Sequence, residues 1–283
     1  MAKKVKITAD STCDLSPELI DKYDIAIIPL HIILGEKSLL DGLEVQPPML
    51  FDHFKATGEL PKTAAVAELE FLEFFKGYLE QGYDIVHIDI SSEFSACYQN
   101  ACIAAGQLEG VYVVDSRNLS TGVGHVVLRG AELAAQGLSA QEIHRELTGS
   151  VDKLDVSFVL DTLEFLRKGG RCSTVAALSA NLLSLKPCIE VRDGRMGVGK
   201  KYRGTLKRCL TEYVKDKLEG RDDIDTHRIF VTHTVQNDPE LVAYIKEIVR
   251  STHDFDEVIE TTAGCTVSGH CGPNTLGVLF YTK

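Results

Sequence analysis

Residues 5–34 read VKITADSTCDLSPELIDKYDIAIIPLHIIL, and this stretch sets the fold class. Residues 5–8 are typical of a buried strand, and residues 25–34 are predicted to form a second strand. The helix between them is expected to begin at about Ser16, which can cap it while Pro17 occupies the first turn, where no amide partner is lost. Strand, helix and strand in this order predict the start of a parallel sheet.

The alternation of strands and helices continues along the first half of the chain. Buried strands are predicted in YDIVHIDIS (83–91) and VYVVDS (111–116). Leu69, Leu72, Phe75 and Leu79 are predicted to share one face of a helix. Helical patterns occupy residues 47–59, 68–82, 95–110, 119–137 and 141–154.

The pattern changes after about residue 152. Residues 178–204 predict a helix running into a hairpin, with Asp193-Gly194 at its turn. We therefore predict an α/β protein of two lobes. Residues 1–152 form an N-terminal α/β lobe, a mainly parallel sheet with helices on both faces, and residues 153–283 form a C-terminal α+β lobe with a mixed sheet. The further strands of this second lobe are predicted at 156–162, 227–234, 256–263 and 275–283, and its further helices at 163–170, 205–220 and 238–254.

Composition narrows the functional classes. A net charge of -11 over 283 residues disfavours a nucleic-acid binder, and an anionic ligand would need a local positive site. The chain has neither an apolar run of the roughly 20 residues that span a bilayer nor a signal-like start, so we expect a cytoplasmic protein without stable membrane insertion. The eight cysteines form no C-x-x-C pair, and we expect neither a metal nor a cofactor.

Two polar turns follow predicted strands, where an open α/β sheet presents its ligand-binding groups. The first, Asp10-Ser11-Thr12, is at least as compatible with local capping as with a site. The second, SSEFSA at residues 91–96, contains Ser92, Phe94 and Ser95 and opens a helix. The unpaired amides there can hold a carboxylate without any lysine, although a serine-rich cap without a ligand is an equal alternative.

Two further segments contain candidate ligand-binding side chains. Thr63 lies in the loop PKTAAVAE, where its hydroxyl could simply stabilise a turn. Residues 264–277 read GCTVSGHCGPNTLG and predict a glycine-rich loop between two strands. His270 in this loop is a candidate donor to a carboxylate or an acid or base near neutral pH, with a structural histidine as the alternative.

Basic residues cluster in two stretches of this acidic chain. KGGR ends at Arg171, and KKYRG contains Arg203. Both stretches fit ordinary solvated surface or a docking patch for a phosphate-handling partner. The chain lacks the G-x-S-x-G, Walker A, H-E-x-x-H and G-x-G-x-x-G signatures, which favours binding over turnover.

The segments ITADSTCDLSPEL, PKTAAVAE, DISSEFSACYQNA, VVDSRNLSTGVG, FLRKGGRCS, LKPCIEVRDG and SGHCGPNTLGVLF occur in an order that covers the chain. This series resembles the DegV family of fatty-acid-binding proteins, which includes the FakB type. The resemblance implies an acyl chain buried in the first lobe or between the lobes. It also implies that the protein presents the fatty acid to a separate ATP-dependent kinase, which makes the acyl phosphate.

The resemblance also assigns roles to individual residues. It makes Thr63 and Ser95 the carboxylate ligands, and it matches the family's H-x-G-P-G segment at His270, Gly272 and Pro273. Arg203 becomes a candidate for kinase docking or acyl-phosphate chemistry.

The sequence departs from the family pattern at five positions. Ala64, Ala65 and Val66 replace S-Q-P after Thr63, Ala96 replaces a glycine, and Asn274 replaces another. Two alternative functions stay open: a small hydrolase or phosphotransferase using Ser95 and His270, and a lipid-responsive regulatory interaction protein.

Overall fold

The computed structural model describes residues 4–172, 185–234 and 238–283. Among these residues, no helix combines the length and apolarity needed to cross a bilayer. The strands are β1 (Lys4–Asp10), β2 (Ala26–Ile28), β3 (His31–Leu34), β4 (Lys37–Leu40), β5 (Lys62–Ala64), β6 (Tyr83–Asp89), β7 (Val111–Asp115), β8 (Leu154–Val159), β9 (Leu185–Arg192), β10 (Arg195–Arg203), β11 (Ile224–His233), β12 (Glu257–Thr262) and β13 (Leu276–Thr282). The helices are α1 (Pro17–Lys22), α2 (Pro47–Thr57), α3 (Glu68–Leu79), α4 (Cys97–Ala105), α5 (Thr121–Ala135), α6 (Ala140–Thr148), α7 (Glu164–Gly169), α8 (Leu206–Leu218), α9 (Pro239–Thr252) and α10 (Cys265–Cys271).

The first half is built on a parallel sheet, as predicted. Its strand order is β2-β1-β6-β7. Helices α3 and α4 pack together on one face, and α5 and α6 pack together on the other. The chain runs from β1 outward to β2 and then crosses to β6 on the other side of β1. The strand order therefore reverses between β1 and β6, which is where open α/β sheets bind ligands.

The predicted single strand over residues 25–34 is wrong. It divides at Pro29, so that β2 joins the parallel sheet and β3 pairs antiparallel with β4 and β5. Proline has no amide hydrogen for a strand ladder, which suits a position between two sheets. The small three-stranded sheet carries Thr63 on β5, opposite Ile32 of β3.

The second half contains a mixed sheet, as predicted. It has six strands in the order β10-β9-β8-β13-β11-β12. Only the β11–β12 pair is parallel among the neighbouring strands of this sheet. Asp193 and Gly194 both have positive φ, 50° and 76°, which fits the tight hairpin turn expected between β9 and β10. The helix predicted to begin at residue 178 lies outside the described residues.

A single buried apolar cluster spans both sheets. It contains Ile7 and Ile88 from the parallel sheet and Phe230 and Leu279 from the mixed sheet. Helix α5 contacts both sheets, and the imidazole Nε2 of His125 lies 2.9 Å from the carbonyl oxygen of Leu279. The members of this cluster come from both sides of residue 152. The division of the chain into lobes at that position stays a prediction.

The apolar face predicted for residues 68–82 needs one correction. Phe75 is buried as expected, but Leu69 is 63% exposed, and Phe71 occupies the core instead. Phe71 and Phe75, four residues apart, both contact the imidazole of His87 on β6. The aromatic pair sets the buried face of α3.

The segment at residues 264–277, predicted as a loop, contains helix α10. Its first amides are held by carboxylates from distant parts of the chain. Asp14 accepts from the amide of Gly264 at 2.8 Å, and Asp41 accepts from those of Cys265 and Thr266 at 2.9 and 3.0 Å. These tertiary caps replace the local cap that the sequence lacks.

Gly272 ends α10 in a conformation that L-residues avoid, with φ 78° and ψ 177°. A Cβ there would lie 2.8 Å from the Phe165 ring. We expect Gly272→Ala to lower the free energy of unfolding by about 2 kcal/mol, measured by urea denaturation. Gly137→Ala is the control, because Gly137 also has positive φ but open space around it. Equal losses in the two variants would contradict a role for the Phe165 contact.

Candidate functional site

A cavity of about 570 Å³ lies beyond the end of β6, where α10 approaches from the second half of the chain. Its lining contains both polar and apolar residues, and the two predicted carboxylate ligands are among the polar ones. The polar members are Thr63, Ser92, Glu93, Ser95, Gln99, Arg171, Thr266 and His270. The others are Leu30, Ala64, Ala65, Ile90, Phe94, Ala96, Leu119, Leu166, Met196, Val267 and Cys271.

The cavity brings together three side chains that are far apart in the sequence. Thr63, Ser95 and His270 all line it, and the Thr63 hydroxyl lies 3.2 Å from Nε2 of His270. Strand β5 positions Thr63, the turn after β6 positions Ser95, and α10 positions His270. Three residues predicted from separate segments of the sequence therefore line one cavity.

His270 is held as a neutral imidazole. Burial, and secondarily the positive charge of Arg171, lower its pKa to about 4. Nδ1 is buried without a hydrogen-bond partner among the described residues, so we assign the ring proton to Nε2, where it can donate to Thr63. The hydroxyl hydrogen of Thr63 is then free to donate to an anion.

We expect the ligand-free protein to show no protonation of His270 between pH 5.5 and 8. A pKa lowered to about 4 means that the ring takes up its proton only well below the ordinary histidine range. The check is an NMR titration of the assigned imidazole signals of His270. A midpoint near 6.5 for His270 would contradict this picture of the site.

Ser95 lies just before Ala96, the N-cap of α4, and its hydroxyl satisfies the first amide of the helix. Its hydroxyl oxygen accepts from the amide of Cys97 at 3.2 Å, and its hydrogen donates to the Cys97 sulfur, also at 3.2 Å. Sulfur is a weak acceptor, so a carboxylate in the cavity can take over that hydrogen while the cap stays in place. Capping and ligand binding are therefore compatible at Ser95 rather than alternatives.

Ser92 lines the cavity, but its hydroxyl is already engaged. It donates to the carboxylate of Asp115 at 2.6 Å, and the Ser92 amide donates to the same group at 3.2 Å. These bonds join the ends of β6 and β7. A ligand-binding role for Ser92 stays a prediction, and the structure gives its hydroxyl a structural partner.

The tip of the β9–β10 hairpin rests on the serine turn, a contact that sequence reasoning missed. Ser91 donates to the carbonyl of Gly194 at 2.8 Å, and Arg117 donates to the carbonyl of Asp193. Arg195 forms an ion pair with Glu93 at 2.9 Å. The Asp193-Gly194 turn was visible in the sequence, but nothing there indicated which surface it would contact.

Asp10-Ser11-Thr12 acts as a set of local and tertiary caps. The carboxylate of Asp10 accepts from the amides of Thr12 and Ile90, each at 2.8 Å, and none of the three residues lines the cavity. Burial, and then the neighbouring charge of Asp89, raise the pKa of Asp10 to about 7. Asp10 therefore fixes the start of the serine turn through Ile90.

Asp10, Asp89 and Cys97 place ligand atoms within 4.8 Å of one another beneath the serine turn. Both oxygens of Asp10 are bonded to backbone amides, and burial raises the pKa of the Cys97 thiol far above its ordinary value. A protonated thiol is a poor metal ligand. These features fit a buried polar network, and we assign no metal to it.

The remaining predicted residues are distributed differently. Phe94 and Arg171 line the cavity, and the exposed Arg171 also donates to the carbonyl of Gly169. Gly272 packs against Phe165 and is not among the lining residues, and Arg203 lies exposed at the end of β10, outside the lining set. The roles predicted for Gly272 and Arg203 stay predictions.

The hydrolase alternative needs a hydrogen bond between Ser95 and His270. In the described residues the Ser95 hydroxyl bonds to Cys97 instead, and the His270 ring bonds to Thr63. No carboxylate orients the His270 ring within the described part of the chain, because its other nitrogen has no partner there. The geometry does not favour a Ser–His nucleophile.

Comparisons with known proteins all match members of one family. A family model described as an uncharacterised protein of the DegV family matches residues 4–283. A DegV domain-containing protein of Clostridium perfringens is 36% identical over 99% of both chains. A fatty acid-binding protein of Thermotoga maritima is 27% identical over 97% of this chain and 96% of its own. A solved fatty-acid-binding DegV family protein of Thermus thermophilus, 29% identical, superposes with a TM-score of 0.88 over 99% of this chain and 100% of its own.

Proposed function

The chain belongs to the DegV family, and from this premise we propose that it binds a long-chain fatty acid in the cavity. The carboxylate lies against Thr63 and Ser95, with His270 behind Thr63. The acyl chain lies among the apolar walls. One observation carries the proposal: Thr63 and Ser95, which are far apart in the sequence, line the same largely apolar cavity.

The energetics of this cavity suit an amphipathic acid. Each buried methylene contributes about 0.8 kcal/mol, so the chain supplies most of the affinity while a few polar groups fix the headgroup. The start of α4 adds unpaired amides and partial positive charge beside Ser95. Arg171 adds a full charge to the cavity lining.

The departures from the family pattern make the headgroup site simpler rather than blocking it. Ala64, Ala65 and Ala96 line the cavity without polar side-chain atoms. Val66 is buried, and its carbonyl accepts from Asn100 at 2.8 Å. Thr63 and Ser95 are therefore the proposed main contacts of the carboxylate, and Gln99, Arg171 and Thr266 are further donors in the cavity lining.

Asn274 takes the left-handed conformation that the family's glycine would adopt, with φ 58°. The side-chain amide of Asn274 donates to the carboxylate of Asp161 at 3.2 Å. Asparagine tolerates this backbone region better than most residues. The segment after α10 can therefore keep the geometry that holds His270.

The proposal includes a partner. The protein shields the acyl chain and presents the carboxylate to a separate ATP-dependent fatty acid kinase, which forms the acyl phosphate. Exposed Arg171 and Arg203 are candidates for contact with that partner or with phosphate. Support comes from the family resemblance and from the position of Arg171 beside the headgroup residues.

Mass spectrometry of the gently purified protein tests the binding. After denaturation, we expect about one equivalent of a fatty acid to be released. Absence of any fatty acid, together with no uptake of added fatty acid, would overturn the proposal. A covalent adduct on Ser95, or turnover without a partner, would support the hydrolase alternative instead.

A further inference from the structure

The cavity shares part of its wall with a second, smaller space. A void of about 20 Å³ lies toward the mixed sheet, bounded by residues such as Phe158, Ala263 and Leu279. Leu119, Val267 and Cys271 line both the cavity and this void. The two spaces are therefore separated by one layer of side chains.

Helix α10 gives this layer a defined orientation. Val267 and Cys271 lie four residues apart, on one face of the helix, and Thr266 and His270 occupy the adjacent face. The first pair separates the two spaces, and the second pair lines the polar part of the cavity. Leu119, just before α5, completes the layer from the other side.

We propose that Leu119, Val267 and Cys271 form a partition that limits the length of the acyl chain this protein accepts. The inference rests on the proposed function, since it concerns the length of the fatty acid bound in the same cavity. All three side chains are buried, so a chain that extends past them must enter the void or displace them. The void has room for little more than one small group, so entry is limited.

The physical basis is the balance between burial and overpacking. Each methylene that finds apolar space raises affinity by about fourfold, and the first methylene without space forces packed side chains to move. Affinity should therefore rise with chain length and then fall. The partition fixes the length at which it falls.

The test uses a series of saturated fatty acids that differ by two methylenes, with affinity measured by competition against a fluorescent fatty acid. Leu119→Ala removes about three carbon atoms from the partition and should join the two spaces. We expect the preferred length to increase by one step of the series, with at least a tenfold gain for the longer acid.

Ala263 supplies the matched control, because it lines the void but not the cavity. Ala263→Val fills the void, so alone it should leave the preferred length unchanged, and combined with Leu119→Ala it should cancel the gain. If Leu119→Ala fails to fold, Val267→Ala opens the same partition with a smaller change.

The outcomes separate the inference from the proposed function. If the unmodified protein binds the series but the partition variants keep its preferred length, the partition idea is overturned while fatty acid binding stands. A shorter preferred length in Ala263→Val alone would also overturn it, because the void would already hold the chain. If the unmodified protein binds no member, both proposals fall.

Discussion

Replacing Thr63 by valine and Ser95 by alanine in one variant is expected to weaken fatty acid binding by about 100-fold. In the proposed complex each hydroxyl donates one charge-assisted hydrogen bond to the carboxylate, and the loss of one such bond weakens binding by roughly tenfold. Valine keeps the shape of threonine, so the packing of β5 against β3 is retained. The loss should appear in the dissociation constant measured by isothermal titration with a soluble fatty acid.

Ser92→Ala is the matched control, because Ser92 lines the same cavity but donates its hydroxyl to Asp115. Its affinity should stay within about threefold of the unmodified protein. Equal losses in Ser92→Ala and in the double variant would show that the serine turn acts only through its fold. The methyl ester of the same fatty acid should lose affinity in the unmodified protein and little more in the double variant.

Asp41→Ala should be the most destabilising single substitution at the site, lowering the free energy of unfolding by about 4 kcal/mol. The buried carboxylate accepts from the amides of Cys265 and Thr266 and from the Thr266 hydroxyl at 2.6 Å. Removing it leaves buried donors at the start of α10 without partners. Because α10 carries His270, fatty acid affinity should fall with stability.

Urea denaturation followed by circular dichroism measures the change in stability. Asp52→Ala is the control, since Asp52 is exposed on α2 and its ion pair with Lys55 is long, at 4.0 Å. Exposed pairs of this kind contribute roughly 0 to 1 kcal/mol. A loss at Asp41 no larger than at Asp52 would show that α10 does not depend on the tertiary cap.

The sequence predicted those parts of the structure that depend on local patterns. Alternating apolar segments and helix caps gave the parallel sheet, and the cap at Ser16 is present, accepting from the Leu19 amide at 3.4 Å. Asp193-Gly194 gave the hairpin turn because both residues tolerate positive φ. The sequence also predicts Thr63, Ser95 and His270 as ligand-binding residues, and all three line one cavity.

The errors concern features that depend on distant contacts. Residues 25–34 look like one strand because their apolar character is continuous, and only the pairing of β3 with β5 shows that Pro29 divides them between two sheets. Helix α10 contains Gly269 among its seven residues and is flanked by Gly264 and Gly272, a composition that disfavours a helix locally. Asp14 and Asp41, more than 200 positions away, provide its caps.

The site also depends on contacts that local patterns do not specify. Ser91 contacts Gly194, and Leu119 lines the same cavity as Val267, only when the two halves of the chain pack together. At Ser92 the position in the turn predicts a ligand contact, but the hydroxyl donates its hydrogen bond to Asp115. Sequence reasoning finds the chemistry of such side chains but not their partners.

The bond between Thr63 and His270 also constrains the order in which the molecule folds. These residues are separated by 207 positions, and the Ser91 contact with the hairpin tip spans 103. Closing loops of this size costs entropy before any packing offsets it, so contacts of this kind form slowly. We therefore expect the cavity to be completed late in folding, after Thr63 and α10 have come together, and to be unavailable to a ligand until then.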